Sequence, residues 1–283
     1  MNKEEYAELL AEIGGGREIG IAARRERDAA EQLAVTQHED ELWGLLCLGD
    51  AVHQFYRDTL DLVRRTVVTI PVDEMQIAMV NWHIVSFERF AVAFHLMARA
   101  YYFEAIALAR DLWEIALSLA GLKRNVVRLE ELLGAGATDP RHMEQMSRDA
   151  DARIRRTLLR DNPALDQRAR DAVETFLVLA NLSTHKSKLH LGLNFREVAQ
   201  GSSISIFPRF EMKQAAVAQN ILYLASWSLI STLPYLEFAL PSADWASGYQ
   251  RVQLAFQEGV GRGSDQAVQA WPTILEHVFG RTR

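Results

Sequence analysis

Apolar residues recur along most of this chain with the three-to-four-residue period of amphipathic helices. Together with glycine, proline and capping residues, that period predicts helices at about 3–13, 17–36, 39–69, 74–99, 102–124, 140–160, 163–184, 210–239, 243–258 and 264–279. Two short segments, LHLGLNFR and SISIFPRF, alternate instead with the period of strands. We therefore predict an all-α, multi-helix bundle with a small β-hairpin inserted near 189–210.

The centre of this bundle is predicted to be a long antiparallel helical hairpin. Asp73 is placed to cap the helix at 74–99, which is apolar on two adjoining faces and therefore predicted to be central. After a tight turn near Ala100, the mostly apolar helix at 102–124 runs back along it. No linker divides the chain convincingly. We assign 1–70 to an N-terminal helical region packed on the core, 71–240 to the core domain and 241–283 to C-terminal helices.

Composition excludes several classes of protein. The 283 residues carry a formal charge of −6, which argues against broad attraction to nucleic acid or anionic membranes but leaves room for a local basic cleft. Cys47 is the only cysteine, so the chain has no intrachain disulfide and no thiolate metal site, and a reducing cytoplasm fits best. The uncharged segment 214–236 contains amides, hydroxyls and a proline, so we expect a buried helix and no membrane association.

The first candidate for chemistry is the sequence RDLWE on the helix at 102–124. Arg110 and Glu114 are four residues apart and share a helix face that is otherwise apolar. A buried charge needs a partner, so the pair is either a structural ion pair within one helix or part of a site.

The preceding helix supplies further polar groups. Asn81, Glu88 and His95 are spaced by seven and so lie on one side of a helix that is otherwise apolar. In an antiparallel hairpin, Glu88 comes level with about residue 114 and His95 with about 107. We therefore predict that these two side chains converge with Arg110 and Glu114, which would shift several of their pKa values.

A second polar cluster is the sequence NLSTHKSKLH, at the end of the helix at 163–184. Asn181 and His185 are four apart and share a face, which suits acid–base work on a phosphate ester by His185. Nearby cationic and ring groups that would contact such a substrate are Lys186, Lys188 and His190. The alternative is that these polar groups only satisfy carbonyls at a helix end.

RDLWE and NLSTH together resemble motifs of a group of uncharacterised bacterial all-helical proteins, over roughly residues 75–240. That group is similar to the HEPN superfamily, helical domains of toxin–antitoxin, abortive-infection and other defence systems, many of which are metal-independent ribonucleases and usually dimeric. The resemblance implies an RNA or nucleotide ligand, a homodimer, and a cognate antitoxin or defence-system partner.

The resemblance also implies roles for individual residues. His185 would be the acid or base, Arg110 the phosphate clamp, Glu114 the group that orients it and Asn181 a hydrogen-bond partner of the substrate; Glu88, His95, Lys186, Lys188 and His190 would contact the substrate. Ala180 stands where HEPN members carry an arginine, so the chain is either an enzyme that uses Arg110 instead or an inactive relative.

Two further features bear on this expectation. The arginine-rich helix at 140–160 is either a phosphate-binding surface or an ordinary solvated face. The chain has no Glu-x-x-His, no P-loop and no nucleophile elbow, so we predict no metal and no other cofactor. The competing hypothesis is a non-catalytic helical interaction module of unknown partner.

Overall fold

Every regular element in the described part of the chain is helical. The structure, a computed structural model, describes residues 3–12, 17–137, 139–163, 209–240 and 243–256, and the single residues 165, 167, 173, 177 and 178. Its helices are α1 Lys3–Glu12, α2 Arg17–Val67, α3 Glu74–Ala98, α4 Tyr102–Lys123, α5 Leu129–Leu133, α6 Pro140–Arg155, α7 Met212–Ile230 and α8 243–256. A π-helical turn, Arg156–Arg160, extends α6, and a 3₁₀ helix, Leu233–Ala239, follows α7.

The all-α prediction is confirmed for these residues, and three predicted elements fall elsewhere. The β-hairpin near 189–210 lies outside the described residues except for its last two positions. Most of the helix predicted at 163–184 and all of that at 264–279 also lie outside them.

Two predicted helix starts are confirmed by their caps. The Asp73 carboxylate accepts a hydrogen bond from the Gln76 amide at 2.8 Å, and the Gln76 side chain accepts one from the Asp73 amide at 2.9 Å. Asp139 accepts from the amides of Arg141 and His142, with Pro140 at the first helical position. Both carboxylates satisfy amides that have no partner within the helix.

The N-terminal region has a break between two helical stretches, as predicted, but at a later residue. We predicted the break between 36 and 39, whereas α2 has two helical stretches that meet at a kink at Leu42, with φ −133° and ψ 24°. Two polar side chains at the expected break bond within the helix. The Thr36 hydroxyl donates to the Gln32 carbonyl and the His38 ring bonds to the Ala34 carbonyl, so neither one ends it.

The predicted helical hairpin is present as α3 and α4. Their turn has Ala100 in the left-handed conformation (φ 65°), with amide-to-carbonyl bonds from Ala100 to Met97 and from Tyr101 to Leu96. This is the bond pattern of a Schellman motif, in which glycine is usual at the left-handed position. An ion pair of 3.3 Å between Arg89 and Asp111 shows the antiparallel register of the two helices.

α7 is the buried centre of the bundle. It packs most extensively on α4 and also contacts α3, and most of its side chains from Ala215 to Ile230 are buried. Tyr102 lies near Glu211 at one end of α4 and Lys123 pairs with Glu237 at the other, so α4 and α7 run parallel. No helix of the described residues has the length and apolarity needed to cross a membrane.

One hydrophobic core joins the three predicted regions. Buried residues of α2, of the α3–α4–α7 unit and of α8, such as Tyr56, Leu222 and Phe256, belong to the same cluster. Trp245 of α8 donates to Thr59 of α2 and stacks on Phe55. The described parts of the three regions therefore share one core, while the boundaries at 70/71 and 240/241 stay predictions.

Candidate functional site

The Arg110–Glu114 pair exists and is larger than the sequence indicated. Arg110 Nε donates to Glu114 Oε1 at 2.8 Å, and Arg155 from α6 donates to the same oxygen at 2.9 Å. The side chains are 22% (Arg110), 34% (Glu114) and 40% (Arg155) exposed. We call Arg110, Glu114 and Arg155 the Glu114 cluster; it ties α4 to α6 and is not a pair within one helix.

A close helix crossing brings Arg155 to Glu114. A Cβ atom on Gly121 of α4 would lie 2.7 Å from Ile154 Cγ1, so only glycine lets α6 approach this closely. Ile154 is buried against α4, and the next residue along α6 is Arg155. Gly121 thus places the second guanidinium beside the carboxylate.

Further carboxylates surround the cluster and have altered acidity. Partial burial raises the pKa of Asp111, with Arg89 opposing the change, and it also raises the pKa of Asp151, with Arg155 opposing it. Glu114 raises both pKa values through charge repulsion. Three carboxylates therefore lie close to three arginines, an arrangement found in functional and structural networks alike.

An open cleft lies beside this cluster. It has a volume of about 680 Å³, and its arginines, Arg155, Arg156 and Arg160, come from the end of α6 and the π-helical turn. The remaining lining residues are Ala152, Leu159, Leu165, Gln167, Val173 and Leu177. We call it the arginine cleft; the described part of its lining includes no carboxylate.

The arginines reach the cleft because of the π-helical turn. The Asp161 amide bonds to the Arg156 carbonyl, five residues back, at 2.8 Å. A wider turn brings side chains four and five residues apart onto one side, so Arg156 and Arg160 line the cleft with Arg155. π-helical turns are rare and are frequent at functional sites. The sequence predicts a plain helix to residue 160 and gives no sign of this turn.

A cavity between α4 and α6 adjoins the cluster but is too small for a ligand. It measures about 20 Å³ and is lined by residues that include Glu114, Asp151 and Arg155. Such a volume holds about one water molecule. An organic ligand does not fit this cavity, whereas the arginine cleft beside it has room for one.

Glu88 and His95 do not converge on the Glu114 cluster as predicted. The hairpin register is close to that predicted, yet it is Arg89 that faces α4, where it pairs with Asp111, while Glu88 is exposed. The buried face of α3 is formed by residues such as His83, Phe90 and Met97. Glu88 lies opposite that face, because successive residues turn 100° around a helix.

His95 belongs to a different cluster, at the α2–α3 contact. Arg99 Nη1 bonds to His95 Nδ1 at 2.7 Å, and Arg99 also pairs with Glu31 at 3.3 Å. Tyr101 donates to the same glutamate at 2.8 Å. Desolvation and Arg99 both lower the pKa of His95, with Glu31 opposing them. His95 thus helps to fasten α2 to the hairpin turn.

The remaining predicted site residues lie outside the described residues. These are Asn181, His185, Lys186, Lys188 and His190. Their proposed roles stay predictions from the sequence.

A polar cluster that the sequence analysis missed lies inside the core. His83 is fully buried; its Nδ1 is 2.9 Å from the Tyr56 hydroxyl and its Nε2 is 3.3 Å from the Thr232 hydroxyl. The Thr232 hydroxyl donates to the Leu229 carbonyl at 2.6 Å, and the Tyr56 hydroxyl donates to the backbone carbonyl of His83 at 3.0 Å. Burial lowers the pKa of His83 to about 3. We call Tyr56, His83 and Thr232 the His83 cluster.

Within the described ranges, no three histidine, cysteine, aspartate or glutamate side chains lie close enough together to hold a metal ion. Comparison of the chain with family models, with curated proteins and with solved structures finds no significant match. The resemblance to the HEPN superfamily therefore rests on RDLWE and NLSTH.

Proposed function

We propose that this chain is a HEPN-like helical protein that binds RNA or a nucleotide, with the ligand's phosphate groups in the arginine cleft. The observation that carries the proposal is the position of Arg155, Arg156 and Arg160 on one open cleft that adjoins the Glu114 cluster. The proposal includes a metal-independent ribonuclease activity in a bacterial defence or toxin–antitoxin setting.

Charge supports an anionic ligand at this place. The whole chain is acidic, so general attraction does not bring a polyanion to it. The described lining of the arginine cleft is positively charged, in contrast to the whole chain, because it contains three guanidinium groups. Arginine binds phosphate through two parallel N–H bonds, which favours a phosphate ester over a simple anion.

The size and the apolar lining of the cleft support a nucleotide. Its volume of about 680 Å³ is in the usual range for small-molecule sites, roughly 300–1,000 Å³. Leu159, Val173 and Leu177 give it an apolar surface against which a base or ribose would pack. A ligand with a flat apolar part and a phosphate fits both kinds of lining.

Of the two arginines on Glu114, Arg155 is the better placed to contact a phosphate. Arg155 lines the cleft and is 40% exposed, whereas Arg110 is 22% exposed and hydrogen-bonded to Glu114 through Nε. Glu114 then orients both side chains. This refines the expectation that Arg110 alone is the phosphate clamp.

The ribonuclease step needs an acid–base residue, for which the sequence offers His185. A base takes the proton of the 2′-hydroxyl, the 2′-oxygen attacks the adjacent phosphorus, and the 5′-oxygen leaves as it gains a proton. The products are a 2′,3′-cyclic phosphate and a 5′-hydroxyl. Arg110 and Arg155 would stabilise the charge on the phosphorane oxygens, and Asn181 would bond to the substrate.

A fluorescence-anisotropy titration with labelled single-stranded RNA in EDTA tests binding. We expect Arg156→Ala/Arg160→Ala to weaken binding about 10- to 100-fold and to reduce the slope of log K against log salt by about 1.4, because two phosphate contacts are lost. The matched control is Arg141→Ala/Arg148→Ala, which removes the same charge from the exposed half of α6. Equal weakening by both pairs would mean that net charge and not the arginine cleft binds RNA.

Cleavage of the same RNA in EDTA tests the catalytic part. We expect the parent protein to release fragments with cyclic phosphate ends, and His185→Ala and Arg110→Ala to lower the rate at least 100-fold while circular dichroism stays unchanged. Binding without cleavage by the parent would identify a non-catalytic nucleotide-binding relative, as Ala180 in place of the HEPN arginine allows.

The second candidate function is a non-catalytic helical interaction module. Exposed aliphatic residues on α3, including Ile77 and Val92, favour it. The resemblance adds a second copy of the chain, a cognate antitoxin or a defence-system protein as partners. If the protein neither binds nor cleaves RNA, this second candidate is the one that remains.

A further inference from the structure

A second open cavity adjoins the arginine cleft. Its volume is about 430 Å³, which is within the usual range of small-molecule sites. Ala152 and Arg156 line both cavities, so the two meet at these residues. The other lining residues are Glu131 of α5 and Met146, Asp149 and Arg153 of α6. We call this cavity the Asp149 pocket.

Arg156 is placed to hold a group that extends from one cavity into the other. Its side chain is exposed, and no described residue forms an ion pair or a hydrogen bond with its guanidinium. Such a guanidinium can bind a phosphate through parallel N–H bonds. A phosphodiester at Arg156 then carries one nucleoside in the arginine cleft and its neighbour in the Asp149 pocket. The two cavities together therefore fit a ligand of at least two nucleotides.

Glu131 fixes the position of Arg153 in the Asp149 pocket. Arg153 Nη2 pairs with Glu131 Oε1 at 2.7 Å, and Glu131 Oε2 accepts a hydrogen bond from the Arg128 amide at 2.8 Å. The amide and the guanidinium both hold the pKa of Glu131 below its ordinary value. Both carboxylate oxygens are therefore engaged, whereas no described residue accepts from Nε or Nη1 of Arg153.

Asp149 supplies the acceptor of the pocket. Its Oδ1 accepts a hydrogen bond from the Gln145 side chain at 2.8 Å, and no described residue donates to its Oδ2. Asp149 and Arg153 are four residues apart and share a helix face, but Arg153 pairs with Glu131 instead. The pocket therefore presents a carboxylate oxygen and guanidinium N–H groups side by side, ready for a ligand that needs both.

Among the four RNA bases, guanine matches this pair of groups. Its O6 and N7 accept hydrogen bonds, for which a guanidinium is the usual partner, and the adjoining N1–H and N2–H groups donate to a carboxylate. Adenine would set its N1 lone pair against the Asp149 carboxylate, and uracil and cytosine each offer that carboxylate a single donor group. Met146 and Ala152 supply apolar surface for the face of the base.

We infer that the Asp149 pocket binds guanine, so that RNA in the arginine cleft is recognised at a guanosine next to the phosphate on Arg156. Asp149 and Arg153 are the residues that determine this specificity. The inference rests on the proposed RNA binding and adds to it a preference for one base.

Fluorescence anisotropy with labelled oligonucleotides tests the preference. The probes are short uridine oligonucleotides that carry guanosine, adenosine, inosine or 7-deazaguanosine at one central position, titrated in EDTA. We expect the guanosine probe to bind about 10- to 100-fold more tightly than the adenosine probe. Inosine lacks the N2 amine and 7-deazaguanosine lacks N7, so each should lose part of that gain.

Substitutions in the pocket assign the preference to its two residues. Asp149→Asn removes the carboxylate that accepts from N1–H and N2–H, and it should reduce the ratio of guanosine to adenosine affinity to about threefold or less. Arg153→Lys keeps the charge but not the parallel N–H bonds, so it should remove most of the preference for guanosine over 7-deazaguanosine.

The matched control is Glu144→Gln, which makes the same change of charge at an exposed residue of α6 outside the lining of both cavities. It should keep the full preference for guanosine. A preference that persists in Asp149→Asn, or that falls equally in Glu144→Gln, overturns the inference.

The same titrations separate this inference from the proposed function. Equal affinity of the parent protein for the guanosine, adenosine and all-uridine probes overturns guanine recognition and leaves RNA binding in the arginine cleft intact. A parent that binds none of the probes overturns both.

Discussion

The His83 cluster and the Glu114 cluster both join helices through polar groups, but only the second is open to solvent. His83 is sealed between α2, α3 and the segment after α7, and its ring bonds to the hydroxyls of Tyr56 and Thr232. Glu114 is one-third exposed, and Arg155 continues from it into the arginine cleft.

The difference shows how burial decides what a polar group does. Burial holds the His83 ring neutral, with a pKa of about 3, and no ligand can reach it, so its effect is on packing and stability. The Glu114 cluster keeps its charges in contact with solvent, where they add little stability and remain able to meet an anion. A strongly shifted pKa therefore does not identify the candidate site here.

Replacing the central residue of each cluster with alanine should give the largest difference in the free energy of unfolding. We expect His83→Ala to lower the free energy of unfolding by about 4 kcal/mol, because it opens a cavity and leaves two buried hydroxyls without their ring partner. Glu114→Ala should cost about 1 kcal/mol or less. Urea unfolding followed by circular dichroism measures both, and comparable losses would show that the two clusters do not differ as we describe.

Acid should weaken the fold through the His83 cluster. The pKa of His83 is lowered from 6.5 to about 3, so between these values the unfolded chain binds a proton that the native chain does not. Stability therefore falls as the pH falls through this window, by about 2 kcal/mol between pH 7.5 and pH 5 from this residue. The lowered pKa values of His38 and His95 act in the same direction.

The matched control for this prediction is His83→Gln, which keeps a polar group but does not titrate. Its free energy of unfolding should lose about 2 kcal/mol less than that of the parent over the same range. A difference between parent and variant that does not change with pH would mean that the native pKa of His83 is near its ordinary value.

The hairpin was predictable from the sequence because local signals determine it. Asp73 followed by Gln76 gives the N-cap, and continuous apolar faces give two long helices whose short connection makes them antiparallel. The turn at Ala100 was less visible, since alanine is not the residue that a left-handed position favours. The break in α2 was predicted a few residues too early, because Thr36 and His38 bond to carbonyls of their own helix and the kink falls at Leu42.

The site was predictable only in part because its other half is distant in the sequence. The spacing of Arg110 and Glu114 reveals their own bond, which is local. The partner Arg155 lies 41 residues after Glu114, and nothing in its spacing selects it from the other arginines of α6. The sequence feature that could have indicated the crossing is Gly121 on the apolar face of α4, where Ile154 of α6 approaches closely.

The smallest expected effect is a loss of stability whose dependence on salt concentration differs between the two clusters. Arg155→Met keeps most of the aliphatic stem and removes one partner of a carboxylate that is one-third exposed, so we expect a loss of about 0.5 kcal/mol that largely disappears in concentrated NaCl. Thr232→Val removes a buried hydroxyl from His83 and should cost about 1–2 kcal/mol at any salt concentration. Unfolding of both variants at low and high salt gives the comparison. A salt-independent loss in Arg155→Met would place that guanidinium in a structural role and weaken the case for the arginine cleft.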